Sequence, residues 1–284
     1  MNTNNNCLVC KVAENRPVFE CETFNLFRCR NCDNTFLTSD ARQEYDEQYY
    51  IDRDAYYKNY KVDYSEDKYP IPTYKNILTK IKELGHDGGK LLEIGCSKGL
   101  FLHLADKQGF LVSGLDVSEY AAKYIKDNFG YPVVCSDIAD ADYSDNSFDV
   151  IVMIDVIEHL EDPAQVLKEC RRVLKPGGLL VVDTPNENSL INFISFFLYK
   201  ISFSQLKFFV RSNHDIEHLV YFSPKGIKKF LNTYSFEMLE VNFFNVDPSL
   251  RGLNKIVNLG ASIIFCIANI LRMQNKMLIF ARKK

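Results

Sequence analysis

Leu91-Leu92-Glu93-Ile94-Gly95-Cys96-Ser97-Lys98-Gly99 is the stretch that decides how the rest of the chain is read. An apolar run carries an acid two residues ahead of a glycine, a tight turn follows, and Leu100–Lys107 continues with helical spacing. Glycines in such a turn reach positive φ and let the backbone come close to a ligand. A dinucleotide-binding turn needs G-x-G-x-x-G. Here Ser97 stands in the second glycine's place and the third glycine is missing. An acid beside the turn is also ill placed for a pyrophosphate. The turn suits a ligand with a charged amino-acid end and no phosphate.

Outward from this turn, strands and helices alternate. Strands are expected at Lys90–Ile94, Leu111–Leu115, Pro132–Cys135, Phe148–Ile154 and Gly178–Asp183, with helices near Leu100–Lys107, Ser118–Asn128 and Pro163–Leu174. Short β-branched runs separated by helices of this length predict parallel strands with crossover helices. Such a sheet carries its ligands at the carboxyl ends of its strands. Two further acids fall at such ends. Asp116 follows the second strand, 21 residues after Gly95, where an acid accepts ribose hydroxyls. Asp137 follows the third, placed to accept from an adenine amine. Taken singly, each acid also fits an ordinary polar strand end; in order, the three outline one adenosine-shaped site.

The same order of motifs resembles the class I S-adenosylmethionine-dependent methyltransferases over about residues 75–245. The likeness continues through Phe148-Asp149-Val150-Ile151, Glu158-His159-Leu160-Glu161-Asp162-Pro163, Leu174-Lys175-Pro176-Gly177-Gly178, Thr184-Pro185-Asn186 and His218-Leu219-Val220-Tyr221-Phe222-Ser223-Pro224. The Glu-His-Leu and Thr-Pro-Asn pieces are similar to the branch with ubiquinone-type O-methyltransferases and many glycan-cluster methyltransferases. The resemblance implies an α/β fold: a doubly wound, mostly parallel, Rossmann-like sheet of seven strands. It also implies S-adenosyl-L-methionine as cofactor. Gly95, Cys96 and Gly99 would contact the methionine part beside Glu93, Asp116 and Val117 the ribose, and Asp137 and Ile138 the adenine, with Asp155 completing the set.

Cys7-x2-Cys10 and Cys29-x2-Cys32 lie 18 residues apart. Two such knuckles supply four thiolates for a closed, structural, tetrahedral zinc site. A module of about 35 residues also buries too little surface to stand without a staple. Cys21, mid-segment, is expected as an unliganded core residue or a replacement ligand, and Cys96, Cys135, Cys170 and Cys266 as core or backbone-contact positions. The start, Met1–Cys7, is polar, so no export signal is expected, the cysteines should stay reduced, and a cytoplasmic location follows.

The chain divides into a zinc-ribbon module at 1–38, a Tyr-rich acidic linker with short helices at 39–74, and a methyltransferase domain at 75–284. That domain carries a cap insertion at 189–215 and an apolar helix at 252–272. A helix near Ile77–Leu84 stops at Gly85; Pro224–Asn232 reads as a helix, and Phe236–Phe244 and Lys276–Arg282 as strands. The uncharged stretch Ile256–Leu271 would span about 24 Å as a helix, short of the roughly 30 Å bilayer core. Together with Leu190–Leu198 it forms a lid, a dimer surface, or a contact to a membrane or lipid-borne acceptor. Charge bears on that choice. The whole chain is −3, yet Ser189–Lys284 holds 13 Lys/Arg against 5 Asp/Glu, and basic apolar surfaces bind anionic lipid. The expected contact is peripheral, at the inner face of the membrane.

Methyl transfer from a sulfonium needs an aligned nucleophile and exclusion of water. A hydroxyl acceptor also benefits from a general base, for which histidine is suited near neutral pH. His159, His214 and His218 lie near the expected site, each with a plain structural alternative; His86 and His103 read as structural or surface residues. Asp155, Glu158 and His159 also resemble a segment proposed to hold a divalent metal in ubiquinone-type relatives. The expected reaction is methylation, on oxygen first, of a small-molecule, glycan or lipid-linked acceptor. Carbon and nitrogen acceptors stay open. The alternative is an RNA methyltransferase using the zinc module, which the acidic run from Asp33 to Lys68 and the absence of an Asp-Pro-Pro-Tyr motif disfavour. A non-catalytic binder or an oxidoreductase on the same sheet is the remaining reading.

Overall fold

The computed structural model describes residues 6–38, 48–49, 70–214, 216–246 and 255–284. Most of the 39–74 linker, Asp215, and the first part of the 252–272 segment lie outside them.

Helix α1, Ile71–Glu83, buries Ile77, Leu78 and Ile81 and begins before the expected boundary at residue 75. Strand β4 (Gly89–Ile94) leads to helix α2 (Leu100–Asp106), β5 (Phe110–Asp116), α3 (Glu119–Phe129) and β6 (Val133–Cys135). The chain then crosses back to β7 (Phe148–Ile154), a 3-10 turn (Ile157–His159), α4 (Pro163–Val173) and β8 (Leu174–Pro185). Serine and aspartate start α3 and α4, because each side-chain oxygen takes one of the orphan N–H groups of a first turn. Pro163, at the first position of α4, has its φ already fixed for a helix. Ser118 accepts from the Ala121 amide at 3.3 Å, and Asp162, just ahead of Pro163, accepts from Gln165 at 3.3 Å. Gly130 ends α3 with φ of 71°.

The main sheet has the order β10-β11-β8-β7-β4-β5-β6, where β10 is Phe236–Phe244 and β11 is Lys276–Lys283. The pairs β4/β5, β4/β7, β5/β6 and β7/β8 are parallel; β11 runs antiparallel to both its neighbours. This is the seven-stranded, mostly parallel sheet the resemblance implied. Central strands are buried on both faces, with Leu91, Leu92, Val150, Ile151, Val181 and Val182 at 0% exposure. Each such side chain contributes roughly 1.5–3 kcal/mol of transfer free energy. Strand order reverses between β4 and β7, and ligands of open α/β sheets sit at the carboxyl side of that reversal.

Past β8 come α5 (Leu190–Ile201) and α6 (Lys207–Arg211), then β9 (Val220–Tyr221) and α7 (Pro224–Thr233). Helix α8, Lys255–Leu271, precedes β11. Helices α5 and α8 are neighbours, and the Leu190 amide at the head of α5 donates to the Met273 carbonyl just beyond α8 at 2.8 Å.

The cysteine-bearing segment folds as β1 (Asn15–Glu20), β2 (Asn25–Cys29) and β3 (Thr35–Thr38). It is not freestanding. Its antiparallel sheet continues as β1-β2-β3-β9, with Thr35 opposite Tyr221 and Phe36 opposite Val220. Cys7, Val9, Cys29, Cys32 and Phe36 belong to the same buried cluster as Val220, Phe222, Ile227 and Leu231.

Candidate active site

The β4 turn is held by its neighbour strand. The Gly95 and Cys96 amides donate to the Leu115 carbonyl at 2.7 and 3.2 Å, and the Ser97 amide donates to Asp116 Oδ2 at 2.8 Å. Asp116 Oδ1 accepts from the Ser118 amide at 3.0 Å. Both oxygens of Asp116 thus accept backbone amides, one from the β4 turn and one from the start of α3. Ser97 adopts φ of 46°, a left-handed conformation that costs a non-glycine residue roughly 1–2 kcal/mol. The Asp116 contact offsets that strain. Gly95, at φ of 72°, has no room for a side chain: a Cβ there would lie 2.4 Å from Val156 Cγ2. The β4 turn and the segment after β7 therefore face each other across the reversal.

Glu93 is 5% exposed, and its Oε2 has no hydrogen-bond partner among the described residues. Burial, reinforced by the Asp116 charge, pushes its carboxyl well above the ordinary range. An uncommitted buried carboxyl oxygen beside a close-approach turn fits a cationic ligand group. Cys96 is buried against Gly114, and burial pushes its thiol upward, so it packs rather than reacts. Asp137 is exposed and accepts from the Ala139 amide at 2.9 Å, while Ile138 next to it is 2% exposed. Val117 lies 58% exposed.

Across the reversal stands a second group of acids. Asp155, at φ of 53°, ion-pairs with Lys276 of β11, whose Nζ also lies 2.9 Å from Asp183 Oδ1. Burial lifts the Asp183 carboxyl to about 6 even with that ammonium beside it. Glu158 is fully buried and accepts from the Thr184 hydroxyl at 3.0 Å. Burial, and then the Asp155 charge, pushes it well above the ordinary range. Sequence reading named Asp155 and Glu158 but missed Lys276, Asp183 and Thr184, whose partners lie many residues away in the chain.

His159 and His218 meet edge to face with ring centroids 4.6 Å apart. His159 Nδ1 lies 3.0 Å from the Glu217 carbonyl. A carbonyl only accepts, so Nδ1 carries the proton and the basic lone pair sits on Nε2. Donor atoms of Glu158, His159 and His218 all lie within 4.8 Å of one another, a grouping that could hold a cation. His214 is placed differently. It is 1% exposed, with Nδ1 at 3.1 Å from the Val210 carbonyl and Nε2 at 3.1 Å from Glu187 Oε2. Both nitrogens are engaged in holding α6 to the loop after β8, which is a packing role. Of the other two histidines, His103 contacts the Tyr131 hydroxyl at 3.1 Å, and burial holds His86 below its ordinary range.

Known proteins share part of this sequence and arrangement. A family model described as a methyltransferase domain matches residues 92–182. The ubiquinone biosynthesis O-methyltransferase of Coxiella burnetii is 26% identical over 170 residues, covering 57% of this chain and 69% of that protein. The protein of that name from Thiobacillus denitrificans is 29% identical over 181 residues, covering 61% and 74%. Residues 92–182 thus carry a methyltransferase domain, and the matches support a class I S-adenosylmethionine-dependent methyltransferase enzyme. Solved methyltransferases share the architecture. A SAM-dependent methyltransferase from Archaeoglobus fulgidus aligns with a TM-score of 0.50 at 21% identity, over 74% of this chain and 94% of that one. Another from Methanosarcina mazei aligns at 0.51 and 20% identity, over 72% and 96%. The methyltransferase match begins within β4 and ends within β8, so it spans both sides of the strand reversal and leaves the cysteine segment, α5, α6 and α8 outside.

The Sγ atoms of Cys7, Cys10, Cys29 and Cys32 all lie within 4.8 Å of one another. Cys7 and Cys32 are 3.5 Å apart, as are Cys10 and Cys29. The contact with Cys32 holds the Cys7 thiol down to about 5. Four soft donors converging in a buried knot fit a closed tetrahedral site. Cys21 sits apart, against the Phe24 carbonyl at 3.2 Å.

Proposed function

We propose that this methyltransferase transfers a methyl group to a hydroxyl oxygen of a small-molecule acceptor, with His159 as general base. The single observation that carries the reading is the His159–His218 pair, held by the Glu217 carbonyl next to the buried carboxyl of Glu158. The similarity to ubiquinone biosynthesis O-methyltransferases supports oxygen as the accepting atom and a small molecule as its carrier.

S-adenosylmethionine, when bound, supplies an electrophilic methyl group on a sulfonium. Glu93, with the Gly95, Cys96 and Gly99 turn, holds the amino-acid end. Asp116 takes the ribose hydroxyls, Val117 offers an exposed apolar surface beside them, and Asp137 with Ile138 receives the adenine. Asp155, fixed by Lys276, orients its carboxylate on the opposite wall. His159 Nε2 takes the hydroxyl proton as the oxygen attacks, and His218 shields the ring edge-on from water. A second reading rests on the Glu158, His159 and His218 grouping: a divalent cation there would lower the acceptor's pKa in place of the base. The four cysteines Cys7, Cys10, Cys29 and Cys32 hold structural zinc.

Peripheral membrane contact belongs to the same proposal. Among the described residues no helix is long and apolar enough to cross a membrane. Yet Phe193, Phe197 and Phe208 on α5 and α6, and Ile263 and Ile270 on α8, are all more than half exposed. Apolar exposure on this scale marks an interaction surface. Lys200, Lys207 and Arg211 accompany it without an acid between Asn188 and His214. A lipid-borne acceptor would arrive from that side.

The deciding experiment is His159→Phe. Turnover on a catechol or phenol probe should fall by a factor of about 10² or more while affinity for S-adenosylhomocysteine is retained. Turnover equal to wild type would remove His159 from the mechanism.

A further inference from the structure

The cysteine module reaches the proposed base through an unbroken chain of contacts. Residues 217–223 are clamped from two sides. On the active-site side, the Leu219 amide donates to the Glu158 carbonyl at 2.8 Å, and the Glu217 carbonyl accepts from His159 Nδ1 at 3.0 Å. On the module side, the Leu37 amide donates to the Leu219 carbonyl at 2.9 Å, and β3 pairs with β9 residue by residue. His218 lies in the chain between the two residues that make these bonds, Glu217 and Leu219, and its ring meets His159 and Tyr221.

Asn34 joins the clamp to the cysteine knot. It is fully buried; its Oδ1 accepts from the Ser223 amide at 3.0 Å, and its Nδ2 reaches Cys32 Sγ at 3.5 Å. A Cβ on Gly226 would lie 1.8 Å from Asn34 Oδ1, so the head of α7 is shaped to receive this side chain. Lys229 of α7 adds a tie, with Nζ at 2.9 Å from the Asn31 carbonyl. A two-residue strand such as β9 has little stability of its own. Its position is set by what pairs with it.

We propose that the cysteine module is a wall of the active site: β3 and Asn34 fix the backbone of residues 219–223 and, through it, the geometry of the His159–His218 pair. The inference rests on the methyltransferase reading above and on zinc in the cysteine knot. Asn34 is a positioning residue. The cofactor turn at Gly95 hangs from β5 and Asp116, outside this chain of contacts. The module therefore governs the acceptor side and leaves the cofactor side alone.

The test uses the full chain in four forms: zinc-loaded wild type, zinc-stripped wild type, and Asn34→Ala and Cys21→Ser with zinc content measured. Three quantities are read: amide exchange at Leu37 and Ser223, the ring resonances of His159 and His218, and S-adenosylhomocysteine affinity by calorimetry. In the stripped and Asn34→Ala forms the two amides should exchange at least tenfold faster and both rings should shift, with cofactor-product affinity within twofold. Cys21→Ser, in the same module but outside the knot, should change none of these. Unchanged amides and rings overturn the proposal. So does a uniform loss of protection across β4–β8 with loss of affinity, which would mean general stabilisation only. If the chain takes up no zinc, the metal assignment falls and Asn34→Ala alone decides whether the clamp positions the histidines.

Discussion

Lys276 Nζ lies 2.9 Å from Asp183 Oδ1, and the two side chains are 9% and 4% exposed. One ammonium, delivered by the antiparallel strand β11, thereby serves carboxylates at the ends of both β7 and β8. Removing one partner of a buried ion pair leaves a charge without compensation, at about 3–5 kcal/mol. Lys276→Met should destabilise the chain by that order, measured by chemical denaturation at pH 8. The effect depends on pH with a definite sign. Asp183 titrates at about 6 when folded, against an ordinary value of 3.8. A carboxyl raised in this way binds more protons folded than unfolded, so its contribution is present at low pH and lost as pH rises through 6. The gap between variant and wild type should be smaller at pH 5 than at pH 8; a gap that widens toward acid would contradict this.

Glu93 offers a second test through proton linkage. Its carboxyl is held well above the ordinary range, so it is protonated over pH values at which a free glutamate is ionised. Pairing with the ammonium of the cofactor favours the ionised form. Binding should therefore release a proton, and affinity for S-adenosylhomocysteine should rise with pH until the unliganded carboxyl is itself ionised. Glu93→Gln should lose about tenfold in affinity, near 1.4 kcal/mol, and flatten the pH dependence. Calorimetry in buffers of different ionisation enthalpy reads both effects.

Much of this arrangement is legible in the chain. The Leu91–Gly99 stretch, Asp116 and Asp137 announce the parallel strands and the turn, because the hydrophobic period and the glycine positions are local signals. Phe148–Ile154 is read as a strand to the residue. What escapes is long-range. Val220–Tyr221 has no strand pattern, yet it extends the module's sheet because Thr35 and Phe36 lie opposite. The pairing of Lys276 with Asp155 joins residues on different strands with no motif linking them. His214 was read among the site histidines because it sits near His218 in sequence; its Glu187 partner, which occupies the ring, comes from the loop after β8. Strand β8 also runs longer than the Gly178–Asp183 core, from Leu174 to Pro185, because Leu174 pairs with Phe148 across Pro176 and Gly177.

Metal removal should register globally as well as locally. The cysteines share their buried cluster with Val220, Phe222 and Leu231. A ligand that binds only the folded state stabilises it by mass action. Chelation, or Cys29→Ser, should lower the thermal midpoint, and zinc analysis should return one ion per chain. A stoichiometry of zero, with an unchanged midpoint on chelation, would exclude a structural metal.

The exposed phenylalanines make a final prediction. Phe193 and Phe197 stack with parallel rings 6.5 Å apart on the outer face of α5. Phe193→Ser combined with Phe208→Ser should weaken sedimentation with anionic phosphatidylglycerol vesicles about tenfold, from the apolar area no longer buried. Binding of S-adenosylhomocysteine should not change. Binding that survives both substitutions but vanishes at 0.5 M salt would assign the contact to charge alone.

The fit of Asn34 against Gly226 also bears on how this enzyme can be shortened or recombined. A chain begun at Pro70 would keep every cofactor contact described above, yet it would present Val220 and Phe222 to water with an open strand edge beside them. Such bare edges recruit other chains. The module at residues 6–38 is thus not a cassette to be traded between relatives. Any graft or truncation would have to re-cover the edge at Val220, and only a replacement that leaves out Asn34 could accept an alanine or serine at 226.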